Sequence, residues 1–267
     1  MSAKRFEYDR GTASCRYRNY KELFLRQMER HAGFYERYIK RMFDILCSLF
    51  VIIIFCWLYV IIAAMVRIKL GSPVLFQQPR PGKDEKIFKM YKFRTMTDEK
   101  DAYGNLLPDE ARLTEFGKTL RNTSMDELPE AFNILKGEMS FIGPRPLLVR
   151  DMVFMTDKQR QRHNVRPGLS GLAQVNGRNA IDWERKLDYD LEYIKDITFL
   201  GDMKIILQTL SKALIKQEGI TEEGMATAED YGDYLLNRGK IGKDKYESKQ
   251  IEAKILILNN VVLRNTP

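Results

Sequence analysis

From 45 to 66 the chain reads ILCSLFVIIIFCWLYVIIAAMV, an apolar run with no charge, glycine or proline. At 1.5 Å per residue it would make roughly 33 Å of helix, enough for a bilayer core of about 30 Å. The pattern predicts a membrane-inserted segment over 38–70 that either crosses the bilayer or enters it and returns. Beyond it the periods shorten. Residues 73–77 and 86–93 predict two strands joined by a Pro-Gly turn. The charged stretch 97–114 predicts an exposed loop and helix. Further helices are expected from Ser124–Asp126 through Leu128, Phe132, Ile134 and Leu135 to Gly137, then over 156–162 and 182–194. Over 200–215, Met203, Ile206, Leu207, Leu210 and Leu214 share one helical face while Lys204, Gln208 and Lys212 occupy another. That amphipathic pattern suits a core helix or one lying in a membrane interface. The last stretch, 240–267, is basic and then apolar, and predicts a strand that pairs with a partner or the start of a truncated segment. The fold class expected is α+β and mainly helical.

Charge refines the membrane reading. Residues 1–41 hold eleven Lys/Arg against five Asp/Glu, and Arg67 and Lys69 follow the apolar run. Basic residues on both flanks leave neither side marked as extracytoplasmic. The run begins too far into the chain for a secretory signal peptide. At 267 residues and 44% hydrophobic composition, the chain can bury one sizeable core besides this segment. A net charge of +8 admits nucleic acid or an anionic membrane with phosphate substrates, and the apolar run favours the second. Cys15, Cys47 and Cys56 form no metal-spaced pair, and the presence of only His31 and His163 argues against a histidine-rich metal site or a histidine triad. Four segments follow: a basic extension (1–37), the membrane segment (38–70), a domain (71–239) and a C-terminal extension (240–267).

The densest chemistry lies in RNTSMDELPE, 121–130. Ser124 and Glu127 match a capping box, while Asp126 as N-cap would place Pro129 in the first turn, so the acids have a purely structural reading. The same geometry also suits phosphate chemistry. A helix N-terminus favours a bound phosphate, Asp126 could attack phosphorus, Glu127 could hold magnesium, and Arg121 could neutralise phosphoryl charge. In FIGPRP, Arg145 stands between two prolines, which reads as a rigid turn or as a stiffly presented phosphate contact. A third block, from Arg166 and Pro167 to Gln174, Asn176 and Arg178, offers arginines and amides that could read a planar base and its diphosphate, although loops of this composition are common.

Together KRMFD (40–44), QPRPG (78–82), YKFRTM (91–96), RNTSMDELPE (121–130), LKGEMSFIGPRP (135–146) and VRPGLSGLAQVNGR (165–178) closely resemble the monotopic phosphoglycosyl transferases, the bacterial sugar transferase family. The likeness runs from about Tyr38 to Tyr234 and is greatest to the small PglC-type members, which consist of the catalytic core. It implies transfer of a sugar-1-phosphate from a UDP-sugar to undecaprenyl phosphate, with UMP released and Mg²⁺ required. It implies Asp126 as a nucleophile forming a covalent phosphosugar, Glu127 (with Asp126) at the metal, and Arg121, Arg145, Lys92 and Arg94 at phosphates. The 166–178 segment would take the nucleotide. It implies a re-entrant helix and interfacial helices at the bacterial inner membrane, with the catalytic domain in the cytoplasm and no nucleic-acid partner. One departure stands out: Cys56-Trp57 occupies the place of the family's Ser-Pro bend. Self-association through the basic and apolar ends stays open, and so does the sugar. The competing function is a membrane-anchored basic adaptor without catalysis.

Overall fold

The structure, a computed structural model, describes residues 32–177, 181–212 and 229–265, the last five by backbone alone. Expectations for most of 1–37, for Arg178 and for Leu214 fall outside the described residues. The chain divides into two units, Met1–Gly33 and Phe34–Pro267, and every element below lies in the second.

After a wide helical turn, Tyr35–Ile39, helix α1 (Lys40–Ile54) ends at Phe55, whose φ of −98° and ψ of 14° leave the helical region. Helix α2 (Cys56–Lys69) begins at the next residue, and the pair is bent by 64°. The break is stitched by backbone bonds: Phe55 N–H donates to Val51 O at 3.0 Å, and Leu58 and Tyr59 N–H donate to Phe55 O at 2.9 and 3.0 Å. The continuous helix that hydropathy predicts is therefore interrupted near its middle, without proline or glycine. Among the described residues no single helix is long and apolar enough to cross a membrane, although the bent pair together is. Phe50, Ile53, Trp57 and Val60 around the bend are exposed, while Ile62, Val66 and Leu70 of α2 pack on Phe93 and Leu120.

The expected hairpin forms from β1 (Leu75–Pro81) and β2 (Ile87–Phe93), antiparallel from Leu75↔Phe93 to Pro81↔Ile87. β1 starts later than the pattern suggests and carries both prolines, which a two-stranded sheet tolerates on its free edge. The loop after it contains one helical turn, Asp109–Arg112. Helix α3 (Glu115–Asn122), capped by Thr114, was not marked by the apolar pattern.

The helix expected from Ser124–Asp126 starts later. Ser124 is left-handed (φ 54°), Met125–Glu127 forms a 3₁₀ turn, and α4 (Glu130–Lys136) begins after Pro129. Ser124 makes no capping bond and Asp126 lies within the 3₁₀ turn, so neither structural cap is realised. Proline has taken the position just before the helix, where its missing N–H costs nothing. α4 stops at Gly137, left-handed at φ 84°, as read from sequence.

Strands β3 (Ser140–Ile142) and β4 (Gly168–Ser170) pair in parallel, with α5 (Val149–Met152) and α6 (Asp157–Arg160) between them. Then come α7 (Leu172–Val175), α8 (Trp183–Lys195) and α9 (Phe199–Ser211), the last two capped by Asp182 and Thr198. α9 buries Asp202 and Ile205, packs Ile206 on the core and turns Leu200, Leu207 and Leu210 outward, so its apolar stripe is divided between core and surface. Helices α10 (Tyr231–Asn237) and α11 (Lys243–Asn265) close the described chain. The strand expected within 240–267 is thus a helix. Its first half is rich in Lys, Glu and Gln, good helix formers, and Ala253 is pinned against Ile87, Val149, Met152 and Val153. The whole is α+β and mainly helical.

Candidate active site

The Asp126–Glu127 pair is placed by α4, and α4 is placed by Asn133. Asn133 is fully buried and behaves as a strand neighbour of β2: its Oδ1 accepts from Tyr91 N–H at 3.0 Å, while its Nδ2 donates to Lys89 O at 2.8 Å and Glu138 Oε2 at 2.7 Å. Ile134, beside it, packs on Phe88, Met90 and Met139. Glu130 is one turn earlier on that face, so it too is turned toward β2. Lys92 therefore arrives against the acids. Its Nζ lies 2.6 Å from Glu127 Oε1 and 3.3 Å from Glu130 Oε1.

Arg145 reaches Glu127 from the other side, donating to the same Oε1 at 2.8 Å. Its loop is held through the main chain. Arg162, buried and paired with Asp190 at 2.7 Å, donates to Arg145 O at 2.6 Å, and Arg80 donates to Pro146 O at 3.1 Å. The loop also sits tightly on the 165–171 segment: a Cβ on Gly143 would meet Arg166 O at 2.6 Å, so only glycine allows this approach. Arg121 bonds Thr95 Oγ1 at 3.0 Å and contributes positive charge at Asp126.

The three acids ionise differently. Burial, joined by the Glu127 charge and opposed by Lys92, pushes the Asp126 carboxyl up to about 6. Burial works against Glu127 as well, but Arg145 and Lys92 outweigh it and hold Glu127 below the usual carboxylate range. Glu130, buried beside that charge, is pushed up to about 7. Asp126 itself is 7% exposed and accepts no hydrogen bond from another described residue. It is a buried carboxylate in a positive field with its oxygens uncommitted, which is the state a nucleophile needs.

Other expected residues fall elsewhere. Arg94 is buried and committed to Met96 O at 2.8 Å, Ser72 O at 2.9 Å and Asp98 at 2.7 Å, so it props the loop after β2 and makes no contact with the dyad. Arg166 Nε donates to Gly137 O at 2.9 Å, Pro167 O accepts from Ser140 N–H at 2.9 Å, and Asn176 Nδ2 donates to Leu172 O at 2.8 Å. Gln174 differs, because both its amide N and O are buried without a partner. Sequence reasoning gave no role to Glu130, Arg80, Arg162 or Asp190. Of these only Glu130 had a local signal, its i+4 spacing from Asp126.

The KRMFD stretch of α1 fastens the bent helices to this site. Arg41 donates to Ile134 O and Leu135 O at 2.7 and 2.8 Å, satisfying the open carbonyl end of α4. Asp44 accepts from Ser140 Oγ at 2.9 Å and Phe141 N–H at 3.0 Å, and Lys40 meets Asp202 of α9 at 2.5 Å.

A magnesium ion would find few protein ligands here. Among the described residues no group of three His, Cys, Asp or Glu is placed to hold a metal. Mg²⁺, however, commonly takes one or two carboxylates and completes its shell with water and substrate phosphate. The uncommitted Asp126 and the ionised Glu127 fit that donor set.

Residues 35–216 match the sequence profile described as bacterial sugar transferase. The uncharacterised sugar transferase EpsL of Bacillus subtilis is 48% identical over 72% of this chain and 95% of its own length. The UDP-glucose:undecaprenyl-phosphate glucose-1-phosphate transferase of Klebsiella pneumoniae is 39% identical over 67% of this chain and 40% of its own. The UDP-N-acetylgalactosamine-undecaprenyl-phosphate N-acetylgalactosaminephosphotransferase of Aeromonas hydrophila is 38% identical over 66% of this chain and 44% of its own. The chain thus spans less than half of these two larger relatives.

Proposed function

The chain belongs to the bacterial sugar transferase family, and from that premise we propose that it moves a sugar-1-phosphate from a UDP-sugar to undecaprenyl phosphate. The observation that carries the reading is Asp126: buried, with no hydrogen bond to another described residue, and in the field of Lys92, Arg121 and Arg145. An Asp126 oxygen attacks the sugar-bearing phosphorus, forming an O–P bond as the bond to the bridging oxygen breaks. UMP leaves with that electron pair. An oxygen of the polyprenyl phosphate then attacks the same phosphorus and returns Asp126 as carboxylate. Lys92 and Arg145 hold Glu127 ionised and face the phosphoryl charge that develops. Bound Mg²⁺, held by Asp126 and Glu127, would supply charge neutralisation at the diphosphate. The unpartnered amide of Gln174 supports a uracil edge, with its donor and acceptors, in the 166–177 segment. The bent α1–α2 pair and the exposed Leu200, Leu207 and Leu210 of α9 support a re-entrant seat at the inner face of the membrane, beside the lipid substrate. An adaptor without catalysis has no use for this arrangement.

The test is UMP release by purified protein across a panel of UDP-sugars with undecaprenyl phosphate, for wild type and Asp126→Asn. The variant should lose release and also lose the label trapped on protein from a donor ³²P-labelled at the sugar phosphate. Unchanged turnover in Asp126→Asn would end the assignment.

A further inference from the structure

Helix α11 lies beyond the 35–216 stretch that matches the family, yet it is packed on the core in a defined direction. Near its start, Tyr246 stacks on Phe154 and donates to Asp233 at 2.5 Å. Midway, Ala253 packs with Ile87, at the far end of the β1–β2 hairpin. Further on, Ile257 and Asn260 line a cavity of about 160 Å³ with Ile87, Phe88 and Lys89 of β2 and with Pro79 and Gln77 of β1, a lining that reaches from the hairpin's far end to within two residues of Leu75. The helix therefore runs down the hairpin toward the Leu75↔Phe93 pair, where Phe93 packs on Ile62, Val66 and Leu70 of α2. From Asn260 to Asn265 it advances roughly 7.5 Å. From Gln77 to Leu75 the strand covers about 7 Å. The end of α11 is thus level with the Leu75↔Phe93 pair.

The chemistry changes along that descent. Lys243, Lys245, Lys249 and Lys254 occupy the first half, whereas 255–263 (ILILNNVVL) holds no charge. Ile255 and Leu258 are exposed, and at the level the helix approaches, Leu75 and Phe76 of β1 are exposed too.

We propose that the second half of α11, from Ile255 onward, is an additional bilayer contact that seats its apolar turns among lipid acyl chains beside Leu75 and Phe76. The inference rests on the reading of α1–α2 as membrane-inserted. A second copy of the chain pairing along α11 would instead cover Ile251, Ile255 and Leu258 alike, and the descent toward α2 favours lipid.

The experiment uses the full chain in nanodiscs of phosphatidylethanolamine and phosphatidylglycerol, with Cys15, Cys47 and Cys56 replaced by serine. Single cysteines at Ser248, Ile251, Leu258 and Val60 carry an environment-sensitive dye. Emission should be blue-shifted and quenched by nitroxide lipid at Leu258 and at Val60, with Ile251 weaker and Ser248 as in water. A Leu258 dye that reports water while Val60 reports lipid overturns the α11 contact alone. Equal shielding at Ile251 and Leu258 that grows with protein density in larger vesicles overturns it in favour of a second copy. A Val60 dye in water overturns both the contact and membrane insertion, while UMP release by the labelled variants reports separately on the enzymatic reading.

Discussion

Asp126 carries a cost that its chemistry explains. Its carboxyl sits at about 6 in the fold, against about 3.9 in an unfolded chain. The unfolded state therefore loses this proton first. Stability is unaffected below about pH 4, falls as pH rises toward 6, and stays lowered above it, by up to roughly 3 kcal/mol. Asp126→Asn should melt higher than wild type at pH 7.5, and the gap should close as the pH approaches 4. Thermal melts in one detergent at both pH values check this; an equal gap at pH 4 would discard the assigned ionisation. Because the proposed attack by Asp126 needs the carboxylate, single-turnover UMP release should also decline as pH falls through about 6. Arg145→Met removes one of the two cations on Glu127 Oε1 and should lower turnover by about 10²–10³-fold, as for loss of a donor to developing charge. Single-turnover rates with membrane retention confirmed would show it. Asp126, Glu127 and Arg145 could be named from sequence because they sit in short blocks, and the structure brings Arg145 to Glu127. Lys92 was named from its block, but its contact with Glu127 and Glu130 depends on Asn133 docking α4 to β2, a pairing across more than forty residues that no local pattern encodes. Arg94, two residues from Lys92, shows the converse: an arginine in a basic block turned inward to carbonyls.

At the scale of elements, what was legible was what local chemistry determines. Gly137 ends α4, Thr156 starts α6 and Asp182 starts α8 because each supplies a cap for its own backbone. The failures occurred where packing decided. Residues 255–263 are apolar and partly β-branched and so read as strand, but Ala253 and its neighbours dock on α5 and carry the helix through them. The bend at Phe55 agrees with the re-entrant helix that the family resemblance implies, although nothing in the local composition marks it. Trp57 is the second residue of α2, a first-turn position that tolerates proline, whereas Val60 lies beyond that turn. Trp57→Pro should keep membrane fractionation and UMP release near wild type, and Val60→Pro should lose much of both. Equal damage from the two would mean that the bend needs tryptophan itself. Gly143→Ala tests the parallel β3–β4 contact. With Arg166 O only 2.6 Å from the new Cβ, overpacking should cost about 1–3 kcal/mol in a thermal melt.

For the whole molecule, the 64° bend decides how deep the anchor can reach. α1 and α2, fifteen and fourteen residues long, measure roughly 22 and 21 Å at 1.5 Å per residue. Counted from Tyr35 the first arm reaches about 30 Å, but its opening turns carry Arg37, Lys40, Arg41 and Asp44, so neither arm alone is both long and apolar enough for a core of about 30 Å. If the two arms enter symmetrically, a 64° bend tilts each about 32° from the membrane plane, and the apex at Phe55 then lies roughly 12 Å below their outer ends, inside one leaflet. The apex side chains Phe50, Ile53 and Trp57 are exposed and apolar, as that depth requires, while Lys40, Arg41 and Asp44 at the entry are tied to the catalytic residues' own elements. A spanning arrangement would keep that tie on one side and carry Lys69 to the other. Yet α2 runs straight into β1, whose partner β2 supplies Lys92 to Glu127, so both arms are bound to the same catalytic body. This connectivity favours the re-entrant topology proposed above over a span. With Arg37→Cys and Lys69→Cys placed singly in a cysteine-free chain in bacterial cells, an impermeant maleimide added outside should label neither until the membrane is permeabilised, and then both. In a Trp183→Phe background, Trp57 fluorescence should be quenched most by bromines placed partway down the acyl chains and least by those at their ends. Labelling of Lys69→Cys from outside, or strongest quenching at the bilayer midplane, would replace the shallow anchor with a span and separate β1 from the Asp126 site it helps to build.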